Sequence, residues 1–115
     1  MWLIRVFALF MCISTAACAL EQPEKSSICP ERSASFVKSV QVFDGPVGEM
    51  AILVPDEAKE DHGFWKLDYV YAAGRTVNIR CEYTDKTNVD INLPDKIQKC
   101  SYKIDGKKKL VLVCL

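Results

Sequence analysis

Alternation of apolar and polar residues is the main pattern in the second half of the chain. Period-two runs occur at Trp65–Tyr69, Val77–Tyr83, Val89–Leu93 and Cys100–Ile104, and a mostly apolar run follows at Leu110–Leu115. Such alternation is typical of strands with one face on a core and one in water. Val40–Phe43 and Met50–Val54 predict two more strands, joined through Asp44-Gly45-Pro46. Without a 3.6-residue period after the first twenty residues, the chain is predicted to be all-β: a small antiparallel sandwich or a barrel-like meander.

The strand registers follow from the turns, because directly opposed residues share a face. A three-residue loop at 72–74, with Gly74 left-handed, and a five-residue loop at 84–88 keep apolar residues opposite one another. The opposed pairs predicted by these loops are Tyr69 with Val77, Tyr83 with Val89, and Cys81 with Ile91. Both loops therefore predict hairpins with one apolar face.

The first twenty residues differ from the rest. They contain one charge, Arg5, then an apolar run and the small-residue sequence Ala17-Cys18-Ala19. This is typical of a secretory signal peptide, predicted as a helix over residues 1–19 that is removed from the mature protein. A flexible tether over 20–28 and a single β domain over 29–115 follow, with a periplasmic location. An alternative is a lipoprotein, because Ser14 to Cys18 loosely resembles a lipobox that would place a lipid anchor on Cys18.

Four of the six cysteines remain after the predicted cleavage, and an even number in a small exported chain predicts two disulfides. Asp105-Gly106 gives a turn signal, and pairing Ile104 with Leu110 puts Cys100 opposite Cys114, within bridging distance. Cys29 then pairs with Cys81. A hairpin shifted by two residues would instead put Cys100 opposite Leu112, so the connectivity stays open at this point.

Charge sums to zero over the chain, with 15 basic and 15 acidic residues, but it is unevenly placed. Residues 56–62 carry a net charge of −3 and residues 96–109 a net charge of +5. A neutral exported chain has no bulk attraction to nucleic acid. Local patches of this kind either steer a charged partner or keep loops and sheet edges soluble.

Candidate catalytic and metal-binding residues are few. His62, the only histidine, follows the acidic residues Asp56, Glu57, Glu60 and Asp61 in a predicted polar loop. The chain has no G-x-S-x-G turn for a serine nucleophile, and the acidic residues lack the calcium-loop spacing. We therefore predict a non-enzymatic chain without catalytic residues, metal ligands or cofactor.

Aromatic residues divide into two groups by their position in the alternation. Trp65, Tyr69, Tyr83 and Tyr102 fall on the predicted inward faces and are expected in the core. Phe64 and Tyr71 lie near strand ends and are candidates for a contact surface. The residues that bind a partner are otherwise unknown from the sequence.

Several short motifs carry a resemblance to a known group of proteins. They are Cys29-Pro30, Phe43-Asp44-Gly45-Pro46, Trp65, Cys81-Glu82-Tyr83, Leu93-Pro94, Cys100 and Cys114. Together they resemble an uncharacterised family of small exported proteins of Gram-negative bacteria that often occur beside type VI secretion loci. The resemblance implies a periplasmic binding protein with an immunity or inhibitor role against an effector that targets peptidoglycan.

Two alternatives remain. Ile79-Arg80-Cys81-Glu82-Tyr83 is similar to the cysteine-bearing strand of small lysozyme inhibitors, although the serine-glycine-tyrosine inhibitory loop is absent. The chain could also be a structural or accessory protein of the envelope. An inhibitor is expected to bind a cell-wall hydrolase, whereas an accessory protein is expected to join an envelope complex.

Overall fold

The computed structural model describes residues 27–115 and contains seven strands there. They are β1 (Val37–Asp44), β2 (Glu57–Ala58), β3 (His62–Lys66), β4 (Val77–Tyr83), β5 (Asn88–Leu93), β6 (Lys99–Ile104) and β7 (Leu110–Cys114). A 3-10 helix spans Val47–Glu49, and a short α-helix, α1, spans Asp68–Ala72. The predicted signal peptide, the lipidation candidate Cys18 and most of the predicted tether lie outside the described residues.

Two antiparallel sheets share one hydrophobic core, which confirms the all-β prediction. The first sheet has the order β1-β4-β5 and the second the order β2-β3-β6-β7. Alternation along β4 buries every odd-numbered residue from Val77 to Tyr83. The second sheet adds Trp65, Cys100, Leu110 and Leu112 to the same core. Burial of one face of each sheet is the main force that holds the layers together.

Both predicted disulfides are present. Cys29 is bonded to Cys81 of β4, with their Cα atoms 5.9 Å apart. Cys100 and Cys114 are directly opposed in the β6–β7 hairpin and are bonded to each other. The observed register has Ile104 opposite Leu110, which excludes the alternative hairpin shifted by two residues.

The predicted hairpin that pairs Tyr69 with Val77 is wrong. Strand β3 ends at Lys66 and pairs with β2 and β6, and residues 68–72 form α1 instead. Leu67, Val70 and Tyr71 have the i, i+3, i+4 spacing of a helix face, and all three contribute to the core. The same turn leaves Tyr69 exposed, contrary to its predicted place in the core.

The β4–β5 hairpin is shifted by two residues from the predicted register. Cys81 lies opposite Val89 and Ile79 opposite Ile91. The loop is shorter than predicted because Lys86 takes a left-handed backbone conformation (φ 69°), which closes the turn three residues after Tyr83. A shift of two residues keeps every side chain on its predicted face.

The predicted strand Met50–Val54 is also wrong as stated. Residues 50–54 are extended beside β1, but only one bridge forms, between Phe43 and Ile52. The preceding 3-10 helix and the left-handed Met50 (φ 57°) prevent a regular hairpin with β1. We call residues 44–56, which run along the edge of the first sheet, the 44–56 segment.

Candidate partner-binding surfaces

Large apolar side chains are exposed in two separate places. The first group comprises Met50 (60% exposed), Ile52 (47%) and Val54 (84%) of the 44–56 segment. We add Tyr69 (53%) of α1, because the charges of Asp44 and Asp56, at the two ends of that segment, act on its hydroxyl, and we call the four residues the Met50 patch. The second comprises Val111 (37%) and Leu115 (61%) on the outer face of the second sheet. Exposed apolar clusters rimmed by polar groups are typical of interaction sites.

The backbone of the 44–56 segment is fixed to β1 by hydrogen bonds. The Asp44 amide donates to the Ala51 carbonyl (2.9 Å), and the Leu53 amide donates to the Val42 carbonyl (2.8 Å). The Trp65 indole N–H donates to the Leu53 carbonyl (3.1 Å) from the neighbouring strand β3. The segment therefore presents its exposed side chains on an ordered backbone.

Phe43 anchors this edge of the first sheet. Its side chain is fully buried, although it lies on the face opposite the shared core, in register with Asn78 and directly across from Ile52. The Arg80 guanidinium carbon lies 5.9 Å from the Phe43 ring centroid. Burial of this ring gives the 44–56 segment an apolar contact of its own outside the core.

Ionic contacts hold the turn that leads into the segment. The Arg75 guanidinium donates to the Asp44 carboxylate (2.9 Å) and to the Glu49 carboxylate. These two bonds, that to Glu49 first, raise the pKa of Arg75 above its ordinary value. Gly45 has φ 81°, and a Cβ there would collide with the Arg75 guanidinium. The positive φ is the reason for glycine at this position, and a larger residue would also displace the Arg75 side chain.

Tyr69 of α1 is exposed and is acted on by charges at both ends of the 44–56 segment. Partial burial raises the pKa of its hydroxyl, and the charges of Asp44 and Asp56 raise it further. Asp56 is itself placed by backbone hydrogen bonds, since its carboxylate accepts the Lys66 amide (2.6 Å). The Met50 patch thus combines apolar side chains with an acidic border.

The second candidate is a groove of about 460 Å³ on the outer face of the second sheet. We call it the lysine groove, and it is lined by Lys99, Ser101, Lys103, Val111, Val113 and Leu115. The Lys99 ammonium lies 4.1 Å from the Phe64 ring centroid, so Phe64, a predicted contact residue, is half-buried beneath it. At the sheet edge, the Ile28 amide donates to the Leu112 carbonyl (2.9 Å).

A larger cavity of about 830 Å³ lies between the segment of residues 27–37 and the start of β7. The Arg32 guanidinium carbon is 4.1 Å from the Tyr83 ring centroid there, and the Tyr83 hydroxyl donates to the Pro30 carbonyl. These contacts fasten the segment that carries Cys29 to the first sheet.

Other residues singled out in the sequence have structural contacts. Trp65 and Tyr83 are buried, and Tyr102 packs against Trp65 with ring centroids 5.5 Å apart. Tyr71, a predicted contact residue, is half-buried, and its hydroxyl donates to the Leu93 carbonyl (2.7 Å). The Met50 patch was missed because its alternating apolar residues predict a half-buried strand.

The acidic residues before His62 were predicted to lie in a polar loop, but Glu57–Ala58 form strand β2 and His62 is the first residue of β3, so the stretch is a short hairpin with His62 exposed. His62 Nδ1 lies 2.7 Å from an Asp61 carboxylate oxygen, and this hydrogen bond lowers the pKa of Asp61. Within residues 27–115, no three His, Cys, Asp or Glu side chains converge in a way that suits a metal ion. In the same range, no helix is both long enough and apolar enough to cross a membrane.

Comparison with known proteins identifies the family. Neither the curated proteins nor the solved structures include a match to this chain. A family model described as "Type VI secretion system Tli immunity protein" matches residues 31–114, which include β1 to β7 and three of the four disulfide-bonded cysteines. The chain therefore belongs to the type VI secretion system Tli immunity protein family.

Proposed function

We propose that this protein is a non-catalytic, periplasmic immunity protein that binds a type VI secretion effector and blocks its activity. The observation that carries the proposal is the family match over residues 31–114. Two disulfides and an ordered apolar patch support it, because a preorganised surface loses little conformational entropy on binding.

The proposed location follows from the predicted signal peptide over residues 1–19. An exported immunity protein meets its effector in the periplasm, where peptidoglycan is a main target for a toxic enzyme. A peptidoglycan hydrolase is therefore the partner class that we propose. Disulfides are favoured in that oxidising compartment, in agreement with the two bonds of the structure.

The proposal is tested with a type VI effector identified among the genes that adjoin this one, called the neighbouring effector below. The effector is directed to the periplasm of a host cell, with or without the full chain, and cell survival is measured. We expect the chain to restore survival, and the purified chain to bind the purified effector and stop release of fragments from isolated cell walls. Failure to bind or protect against the neighbouring effector overturns the immunity role.

Two control measurements separate the parts of the proposal. A chain without residues 1–19 is expected not to protect against the periplasmic effector, and equal protection contradicts the periplasmic location. If the chain binds the effector but the effector cleaves phospholipid vesicles and leaves cell walls intact, the immunity role stands and the peptidoglycan target is wrong.

A further inference from the structure

We propose that the Met50 patch is the surface that binds the effector, and that it enters an apolar cleft bordered by lysine or arginine side chains. This inference rests on the proposed immunity function and adds the contact residues and the chemistry of the partner surface. The patch consists of Met50, Ile52, Val54 and Tyr69, as defined above.

Composition favours this patch over the lysine groove. Tyrosine and methionine are enriched in protein interfaces, and lysine is depleted from them. The Met50 patch contains one of each enriched type and exposes four large apolar side chains, whereas the groove exposes two and contains Lys99 and Lys103. Burial of the patch would therefore desolvate more apolar surface and fewer ammonium groups.

Backbone order also favours the patch. Met50 has a left-handed backbone, and its amide donates to the Val47 carbonyl (3.0 Å). Leu53, between two exposed patch residues, turns its side chain to the core and its carbonyl to the Trp65 indole. The exposed side chains are thus held out by a backbone that is already ordered before binding.

The acidic border defines the charge of the partner. Asp44 and Glu49 are neutralised by Arg75, but Asp56 and Asp68 form no ion pair with any side chain in the described part of the chain. Carboxylates beside an interface attract cations on the opposing surface and repel anions. We therefore infer lysine or arginine side chains around the cleft that receives the patch.

The experiment measures the dissociation constant for the neighbouring effector, made inactive by a substitution in its own active site. The patch variant is Tyr69→Ala with Val54→Ser, and the matched control is Val111→Ser with Leu115→Ser in the lysine groove. All four positions are exposed, so both variants are expected to keep the wild-type melting temperature. We expect the patch variant to raise Kd about 30-fold or more and the control to stay within about fivefold.

A pair of single variants tests the charge of the cleft. Val54 is the most exposed patch residue, at 84%, and tolerates a charged side chain without loss of packing. Val54→Lys puts a cation against the inferred cationic border, whereas Val54→Glu adds an anion. We expect Val54→Lys to weaken binding about tenfold more than Val54→Glu. Equal or reversed effects contradict the inferred cationic border.

The outcomes separate this inference from the proposed function. If the wild-type chain binds the effector and the patch variant binds equally well, the immunity role stands and the Met50 patch is not the contact surface. If wild type does not bind, both proposals fail. Light scattering measures self-association of the chain. If the patch variant changes only self-association, the Met50 patch contacts a second copy of the chain, for example at its lysine groove, and the inference is overturned.

Discussion

The edge of the first sheet and the outer face of the second sheet both expose apolar side chains, but they do so differently. At the edge of the first sheet, the 44–56 segment raises Met50, Ile52 and Val54 into solvent on a hydrogen-bonded backbone. On the second sheet, Val111 and Leu115 lie in a shallow groove lined also by Lys99 and Lys103. Long lysine stems cover apolar surface and keep the charge in water.

The lysine side chains keep the lysine groove hydrated, whereas the Met50 patch exposes apolar side chains that a partner could cover. The lysine groove has the composition by which sheet proteins limit edge association. The Met50 patch contains no lysine, and none of its four exposed side chains belongs to the shared core. This difference in composition and exposure is the basis on which the Met50 patch, and not the lysine groove, is proposed as the contact surface.

Loss of a disulfide is expected to have the largest effect and to weaken the two sheets unequally. The Cys29–Cys81 bond spans 52 residues and the Cys100–Cys114 bond spans 14. Because chain-entropy stabilisation rises with loop length, the paired Cys→Ala variants are expected to lose about 4 and about 3 kcal/mol, respectively. Urea unfolding measures both, and a larger loss at Cys100–Cys114 would contradict the ranking.

Phe43→Ala tests whether the 44–56 segment depends on its buried anchor. Truncation of a fully buried phenylalanine is expected to lower the free energy of unfolding by about 3 kcal/mol. Phe64→Ala on the second sheet is the matched control and is expected to cost about 1 kcal/mol, because that ring is only half-buried. Thermal unfolding compares the two; equal losses would show that Phe43 has no special role.

Salt dependence of binding distinguishes the two charged surfaces. If the acidic border of the Met50 patch faces cations, the association rate constant falls about tenfold from low to high salt. Asp68→Asn is expected to reduce that slope, and Lys103→Gln in the lysine groove to leave it unchanged. Stopped-flow mixing with the neighbouring effector gives the rates. A slope that responds to Lys103→Gln alone would assign binding to the other surface.

Ionisation of Tyr69 provides the smallest and most local test. Burial first, and then the charges of Asp44 and Asp56, favour the neutral phenol, so its pKa lies above the ordinary value of 10.0. Asp56→Asn removes one anion and is expected to move the Tyr69 pKa down, toward but not to the ordinary value. The tyrosinate absorbance that is lost in Tyr69→Phe isolates this group. No movement would mean that Tyr69 does not lie beside Asp56.

The alternation of apolar and polar residues correctly predicted which side chains of the β4–β5 and β6–β7 hairpins share a face. Parity and the Asp105-Gly106 turn signal favoured the observed β6–β7 register, and with it the Cys100–Cys114 and Cys29–Cys81 bonds, but a register shifted by two residues has the same parity and left the connectivity open. In the β4–β5 hairpin the faces were right, but the register was wrong by two residues, because a left-handed lysine closes the loop without a glycine signal.

The alternation of apolar and polar residues could not predict the short helix α1 or the exposure of the apolar residues around Met50. Helix α1 has five residues, too few for a helical period to stand out against the alternation of Trp65 to Tyr69. The apolar residues from Met50 to Val54 resemble a strand, because alternation shows that two faces differ and not which face meets a core. The Met50 patch is therefore visible only once Leu53 is seen to turn inward and its neighbours outward.

Oxidation of Met50 shows whether the Met50 patch is covered when the effector is bound. Met50 is the only methionine in residues 20–115, so its conversion to the sulfoxide by peroxide gives one mass change in that range. We expect saturating, inactive effector to slow Met50 oxidation about tenfold or more, and the Tyr69→Ala/Val54→Ser variant to lose this protection at the same effector concentration. An oxidation rate that is unchanged in a fully formed complex would contradict the proposed contact, because Met50 would then remain in solvent while the effector is bound.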